Sequence, residues 1–129
     1  MKEKLLELHK NCYAPISNFC VSSIVIAKDG REFCGVNVED ASTRAGACAE
    51  RVALFNAIAS GVKKNEFKEV NVMVSSGEIG EPCFVCRQMF VELLEKDTII
   101  RCFATDGRYK EFTVEELCPY PFDSEDLKK

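Results

Sequence analysis

Hydrophobic positions recur along the chain with two alternating periods. In "MKEKLLELHK" and just beyond it, Leu5, Leu8 and Cys12 share a helical spacing in a charged context, predicting a first amphipathic helix that ends before "YAPISNF". Next, "CVSSIVIAKDGREFCGVNVED" holds a β-branched apolar run, an Asp-Gly pair at Asp29 and Gly30, and a second run, which predicts a hairpin. From Cys48, "CAERVALFNAIASG" places Val52, Phe55 and Ile58 on one helical face and ends at Gly61. The period returns to two in "KEVNVMVSS", where Val70, Val72 and Val74 alternate as in a strand. Pro82 suits a helix entry, and "CFVCRQMFVELLEK" stacks Val85, Met89 and Leu93 at four-residue intervals. "TIIRCFA", a turn at Asp106 and Gly107, and "YKEFTV" predict two further strands; Thr113 and Glu116 then have the spacing of a capping box before a short last helix. Strands interspersed with helices in this order predict an α/β fold, with a mixed five-stranded sheet packed between helices.

Composition narrows this picture. A chain of 129 residues, 47% hydrophobic and 29% charged, without repeats or a Pro/Gly/Ser-rich linker, is expected to form a single domain over residues 1–129. The formal net charge of −4, with no basic cluster, favours a small-molecule partner over a nucleic acid. The N-terminal stretch lacks the apolar core of a signal peptide, and no apolar run approaches the ~18 residues that span a bilayer, so a cytoplasmic protein with no membrane partner is expected. In a reducing compartment the eight cysteines read as metal ligands, nucleophiles or buried apolar residues rather than a disulfide framework. Cys12, Cys20, Cys34, Cys102 and Cys118 are expected to be reduced fillers. The lone histidine, His9, falls on the charged first helix and is expected to be exposed, which argues against a Ser-His-Asp hydrolase.

The candidate chemistry lies in "GACAERVAL" and "EPCFVCRQ". Cys83 and Cys86, three apart on a helix, can direct both sulfurs to one metal ion. Zinc takes four tetrahedral ligands, and a catalytic site leaves one position for solvent. With Cys48 as third ligand, Glu50 would stand beside that position as general base and then general acid. Residues two apart on a regular helix point in nearly opposite directions, so Cys48 must sit at the helix start, where its direction is not helical. Three thiolates overcompensate the charge of Zn²⁺. Two helix N-termini, together with Arg51 and Arg87 as donors to sulfur, would offset the excess.

"CAE" followed by "PCFVCRQ", with "NVEDA" upstream and "TVEEL" and "EDL" at the end, resembles the cytidine deaminases of the small, tetrameric, three-cysteine class. The resemblance runs from about Tyr13 to Leu127. It implies that Cys48, Cys83 and Cys86 hold one zinc ion per subunit and that Glu50 shuttles protons as a water-derived oxygen attacks C4 of the pyrimidine, a known signature of zinc deaminases rather than a result of spacing alone. It further implies that the Ala49 N–H and the Glu81 carbonyl read the base edge, that Asn37 and Glu39 bind the ribose hydroxyl, and that Phe19 lines the pocket. Phe122 would come from a neighbouring subunit, giving a homotetramer with shared active sites acting on cytidine and deoxycytidine in pyrimidine salvage. The chain departs from the pattern at several positions. Phe84 replaces a small residue, Asp40 an asparagine, Ile16 a tyrosine and Cys20 a proline; "VSSI" replaces a Gly-Ala-rich stretch, and Thr43 stands where an aromatic often follows. These changes alter the pocket walls rather than the proton chemistry. A deaminase of a related aminopyrimidine such as blasticidin S, a base editor of RNA or DNA, and a zinc-binding or thiol-redox module remain open alternatives at this level. Without the resemblance, Asn37 and Glu39 read as polar capping at a strand end.

Overall fold

The computed structural model describes residues 1–128; Lys129, the last residue of the expected domain, lies outside the described residues. A five-stranded sheet runs through the molecule in the order β2-β1-β3-β4-β5. Strands β1 (Val21–Ala27) and β2 (Glu32–Val36) form the expected antiparallel hairpin. Gly30 has φ +93 in its turn, a conformation open to glycine at no steric cost. On its other side β1 pairs antiparallel with β3 (Phe67–Val74). β3 and β4 (Ile99–Phe103) run parallel, and β5 (Tyr109–Thr113) returns antiparallel to β4. A parallel pair needs a crossover connection, and helix α3 (Phe84–Leu93) supplies it.

Strand alternation sorts the side chains into two layers. Val25, Val70, Val72, Ile100 and Cys102 pack with residues of α3 and of α2 (Ala49–Ala59). Across the sheet, α1 (Lys2–His9) lays its fully buried Leu5 over Ile24, Met73 and Phe103. The last helix, α4 (Val114–Leu117), has the expected box: the Glu116 N–H donates to Thr113 Oγ1 at 3.1 Å, and the Thr113 N–H donates to the Glu116 carboxylate at 2.9 Å. None of the described helices is long and apolar enough to cross a membrane.

Helix α2 buries a different stripe from the one its spacing suggests. On α2 the buried residues are Ala49, Glu50, Ala53, Leu54 and Ala57, whereas Phe55 and Ile58 are 45% and 41% exposed. The cause is close approach to β2. A Cβ on Gly35 would lie 2.3 Å from the Ala49 carbonyl oxygen and 2.5 Å from the Ala53 nitrogen, so alanines occupy most of the contact and the larger apolar groups face outward. On α3, Met89 and Leu93 pack against the core as their spacing suggests, beside the buried Cys86 and Phe90, and only Val85 of the expected stripe is exposed.

Four other expectations are corrected. Cys12 and Cys20 are joined by a disulfide, with Cα atoms 5.7 Å apart, because the turn after α1 brings the chain back to the start of β1. Cys34 is exposed on the edge strand β2, Cys118 is half-buried, and only Cys102 of the remaining expected fillers is fully buried. His9 is half-buried, with Nε2 3.0 Å from the Met73 carbonyl oxygen.

Candidate metal centre and substrate pocket

The N-termini of α2 and α3 meet at one end of the sheet. Cys48 is the N-cap of α2 (φ −73, ψ 153) and Cys83 the N-cap of α3 (φ −67, ψ 163). Extended backbone at a cap releases the side chain from the helical direction, and this lets Cys48 and Glu50 serve one centre although they are two residues apart. Cys86, in the first turn of α3, is fully buried. The sulfurs of Cys48, Cys83 and Cys86 lie within 4.8 Å of one another, and those of Cys48 and Cys83 are 3.6 Å apart. Sulfurs at about 2.3 Å from a tetrahedral zinc ion stand ~3.8 Å apart, so the cluster has the chemistry and dimensions of a three-thiolate zinc site.

The protein's own groups already favour thiolate at Cys48. Hydrogen bonding from Cys86, and then from Arg51, pulls it down to about 5 against the opposing effect of burial. Cys86, as the partner in that pairing and itself buried, is pushed up. Arg51 Nη2 donates to Cys48 Sγ at 3.5 Å, as expected, while its Nε is buried without a partner. Arg87 does not reach sulfur. Its Nε donates to the Pro82 carbonyl at 2.7 Å and its Nη1 to that of Leu117 at 2.9 Å, and its guanidinium lies 4.4 Å from the centroid of the Phe84 ring. The residue thus ties the turn before α3 to the end of α4.

Glu50 is 4% exposed, and burial pushes its carboxyl up to about 7. A carboxyl group in that range can both accept and release a proton near neutral pH. It lines a pocket of about 230 Å³ together with Phe19, Asn37, Glu39, Cys48, Glu81 and Cys83. Ala49, fully buried, opens α2, where the backbone N–H groups lack intrahelical acceptors. Phe122 is 58% exposed and is absent from this lining; its carbonyl accepts from Gln88 Nε2 at 2.6 Å.

Ser17, Val72, Val74 and Gly80 also line the pocket and were not singled out from sequence. Val72 and Val74 read only as strand core, and a lone serine in a loop carries no periodic signal. Ser17 is central to the pocket rim. The Glu39 carboxylate accepts from the N–H groups of Ile16 and Ser17, at 3.0 and 3.1 Å, and from the Ser17 hydroxyl. The Asn37 amide donates to the Phe19 carbonyl at 2.7 Å and accepts from the Val21 N–H at 2.9 Å. Both residues therefore hold the 16–21 segment in place besides facing the pocket. On the opposite side of Glu39, Asp40 accepts from the N–H groups of Ser42, Ala45 and Gly46 at 2.9, 3.1 and 2.9 Å. The carboxylate is acceptor-only, so an aspartate there organises the loop leading to Cys48.

A larger cleft, of about 450 Å³, lies between α3, α4 and the tail, lined by residues such as Val91, Leu94 and Cys118. The three-sulfur cluster is not there, whereas Cys48, Glu50 and Cys83 line the smaller pocket.

Replacing Arg51 with methionine is expected to lower kcat roughly tenfold, the order of effect of one charge-assisted hydrogen bond, with zinc retained by elemental analysis. Unchanged kinetics would remove Arg51 from the chemistry.

Residues 1–102 match the family model described as "Cytidine and deoxycytidylate deaminase zinc-binding region". A cytidine deaminase of Halalkalibacterium halodurans is 34% identical over 125 residues, covering 97% of this chain and 93% of the relative. One from Mycoplasma genitalium is 34% identical over 115 residues, covering 89% and 87%. A crystal structure of cytidine deaminase from Burkholderia pseudomallei superposes with a TM-score of 0.89 at 34% identity, covering 93% of this chain and 94% of that one. A three-sulfur centre at two helix starts, a buried glutamate beside it, and similarity over nearly the whole length lead to one assignment: the chain belongs to the cytidine and deoxycytidylate deaminase family.

Proposed function

We propose that the chain works as a single domain that hydrolyses cytidine and deoxycytidine to uridine and deoxyuridine with release of ammonia, in pyrimidine salvage, and that Cys48, Cys83 and Cys86 hold one zinc ion per subunit. The observation that carries this reading is the convergence of three sulfurs, within 4.8 Å, beside a buried Glu50 at the wall of a pocket. Zinc held there would supply a nucleophile at neutral pH by lowering the pKa of water. Glu50 takes a proton from the attacking water and delivers it to N3 of the pyrimidine ring. It carries the next proton to the amino group at C4, which leaves as ammonia. Atoms balance as nucleoside plus water giving the uracil nucleoside plus ammonia. The Ala49 N–H and the Glu81 carbonyl hold the base edge, Phe19 packs on the ring, and Asn37 and Glu39 position the ribose.

Phe122 completes the pocket of a neighbouring subunit in a homotetramer. Supporting this, Phe122, Phe55, Ile58, Phe84 and Val85 leave apolar surface outward. The proposed location is the cytoplasm, and the proposed partner is a free nucleoside rather than a nucleic acid or membrane.

Turnover compared on cytidine, deoxycytidine, cytosine and blasticidin S tests the substrate. We expect the two nucleosides to be deaminated with kcat/KM at least about a hundredfold above free cytosine, since cytosine lacks the ribose contacts. Activity on blasticidin S with cytidine untouched would overturn the substrate while leaving the metal chemistry in place. Light scattering at micromolar concentration tests the tetramer; a persistent monomer with full activity would refute the shared pocket.

A further inference from the structure

The disulfide between Cys12 and Cys20 closes a loop that carries one wall of the pocket. We infer that this pair is a reversible thiol–disulfide site: its oxidised form holds the 13–19 loop in the geometry that binds substrate, and its reduced form loosens it. The inference rests on the proposed pocket roles of Asn37, Glu39 and Phe19.

The two cysteines are eight residues apart in sequence, with Cα atoms 5.7 Å apart, inside the range that a disulfide spans without moving the backbone. Between them, Ile16, Ser17, Asn18 and Phe19 are all exposed, so the loop has little packing of its own to order it. Polar contacts supply its order instead, and they end on pocket residues. Ile16 and Ser17 donate to the Glu39 carboxylate, Phe19 N–H donates to Ser17 Oγ at 3.1 Å, and the Phe19 carbonyl accepts from Asn37. Freedom gained by this loop is therefore freedom gained by a pocket-lining ring and by the groups that aim Asn37 and Glu39. A disulfide stiffens the backbone only while it is oxidised. Rigidifying a loop in its binding conformation improves affinity by lowering the ordering cost of binding. The pair therefore acts on substrate affinity and leaves the metal chemistry alone.

The co-reactant is a low-molecular-weight disulfide such as oxidised glutathione. One cysteine thiolate attacks a sulfur of the small disulfide, forming a mixed disulfide and releasing one small thiol. The second cysteine attacks the mixed disulfide, forming the Cys12–Cys20 bond and releasing the other thiol. The protein sulfurs lose two electrons, the small disulfide gains them, and the two protons leave on the released thiols.

The test measures KM and kcat for cytidine on the zinc-loaded enzyme in oxidised and in reduced glutathione, with non-reducing peptide mapping and zinc analysis on each sample. Reduction is expected to raise KM roughly five-fold, with kcat within about two-fold, the signature of lost loop preorganisation. A Cys12→Ser/Cys20→Ser variant should show the reduced-form KM in both buffers; Cys12→Ser alone serves should the double variant fold poorly. The inference is overturned by equal KM values in samples whose mapping differs, by a bond that glutathione cannot break, or by one that never forms. Glu39→Gln in the oxidised protein separates the two layers. Should it leave KM unchanged, the pocket reading fails; should it raise KM while the redox state of Cys12 and Cys20 does not, only the switch fails.

Discussion

Replacing Glu50 with alanine is expected to lower kcat on cytidine by roughly a thousandfold or more, within the usual range for loss of a positioned proton carrier. Zinc should remain bound, because the sulfurs of Cys48, Cys83 and Cys86 form the cluster proposed to hold it and Glu50 is outside that cluster. Its neighbours leave little room for a substitute, since the residue is 4% exposed and lies at the start of a helix packed on β2. A water in the space left by the side chain would have no carboxylate to give its proton to. Glu50→Gln, which keeps the shape but not the protonation chemistry, should lose nearly as much. Ammonia release, zinc content and circular dichroism check the three parts separately. Turnover within tenfold of wild type, with a native spectrum and full zinc, would remove Glu50 from its role as proton carrier.

Gly35→Ala should unfold the protein more readily than its single added methyl suggests. The new Cβ would meet the Ala49 oxygen at 2.3 Å and the Ala53 nitrogen at 2.5 Å, both backbone atoms that no rotamer change can move. Helix α2 must shift as a body, at a cost of about 3 kcal/mol, the upper range for overpacking. The shift also displaces Cys48 and Glu50, the N-cap and second residue of that element, so kcat should fall even in the folded fraction. Gly30→Ala is the control. Position 30 has φ +93 but nothing within 4 Å of an added Cβ, so it should lose only about 1 kcal/mol from backbone strain. Thermal melting of both variants decides this. Equal melting temperatures for Gly35→Ala and wild type would show that α2 is not held by close backbone approach.

The contrast between these two glycines shows where reading the chain alone stops. Gly30 follows an aspartate between two β-branched runs, and its turn follows from local chemistry. Nothing around Gly35 in sequence marks the helix that presses on it from fourteen or more residues away. The same limit explains the buried face of α2. Spacing identifies a helix, but the sheet selects which stripe it accepts, and here it accepts the alanines and Leu54. Arg87 illustrates the limit at the site, since its adjacency to Cys86 suggested sulfur, yet the Pro82 and Leu117 carbonyls claim its donors.

The chain alone pointed to the alternation of strands and helices, to Cys48, Cys83 and Cys86 with Glu50 as the candidate centre, and to the need for Cys48 to leave the helical direction. The elements and the pairing of Cys83 with Cys86 follow from bond geometry over two to four residues, where the backbone has little freedom to do otherwise; that Cys48, thirty-five residues from Cys83, joins them is what the family resemblance implied. Only the tertiary structure decided which face of α2 is buried, that Glu39 and Asn37 grip the 16–21 segment, and that Cys12 finds Cys20. Those outcomes depend on contacts between segments whose separation is set by the packing of the whole sheet, and no local period encodes that distance.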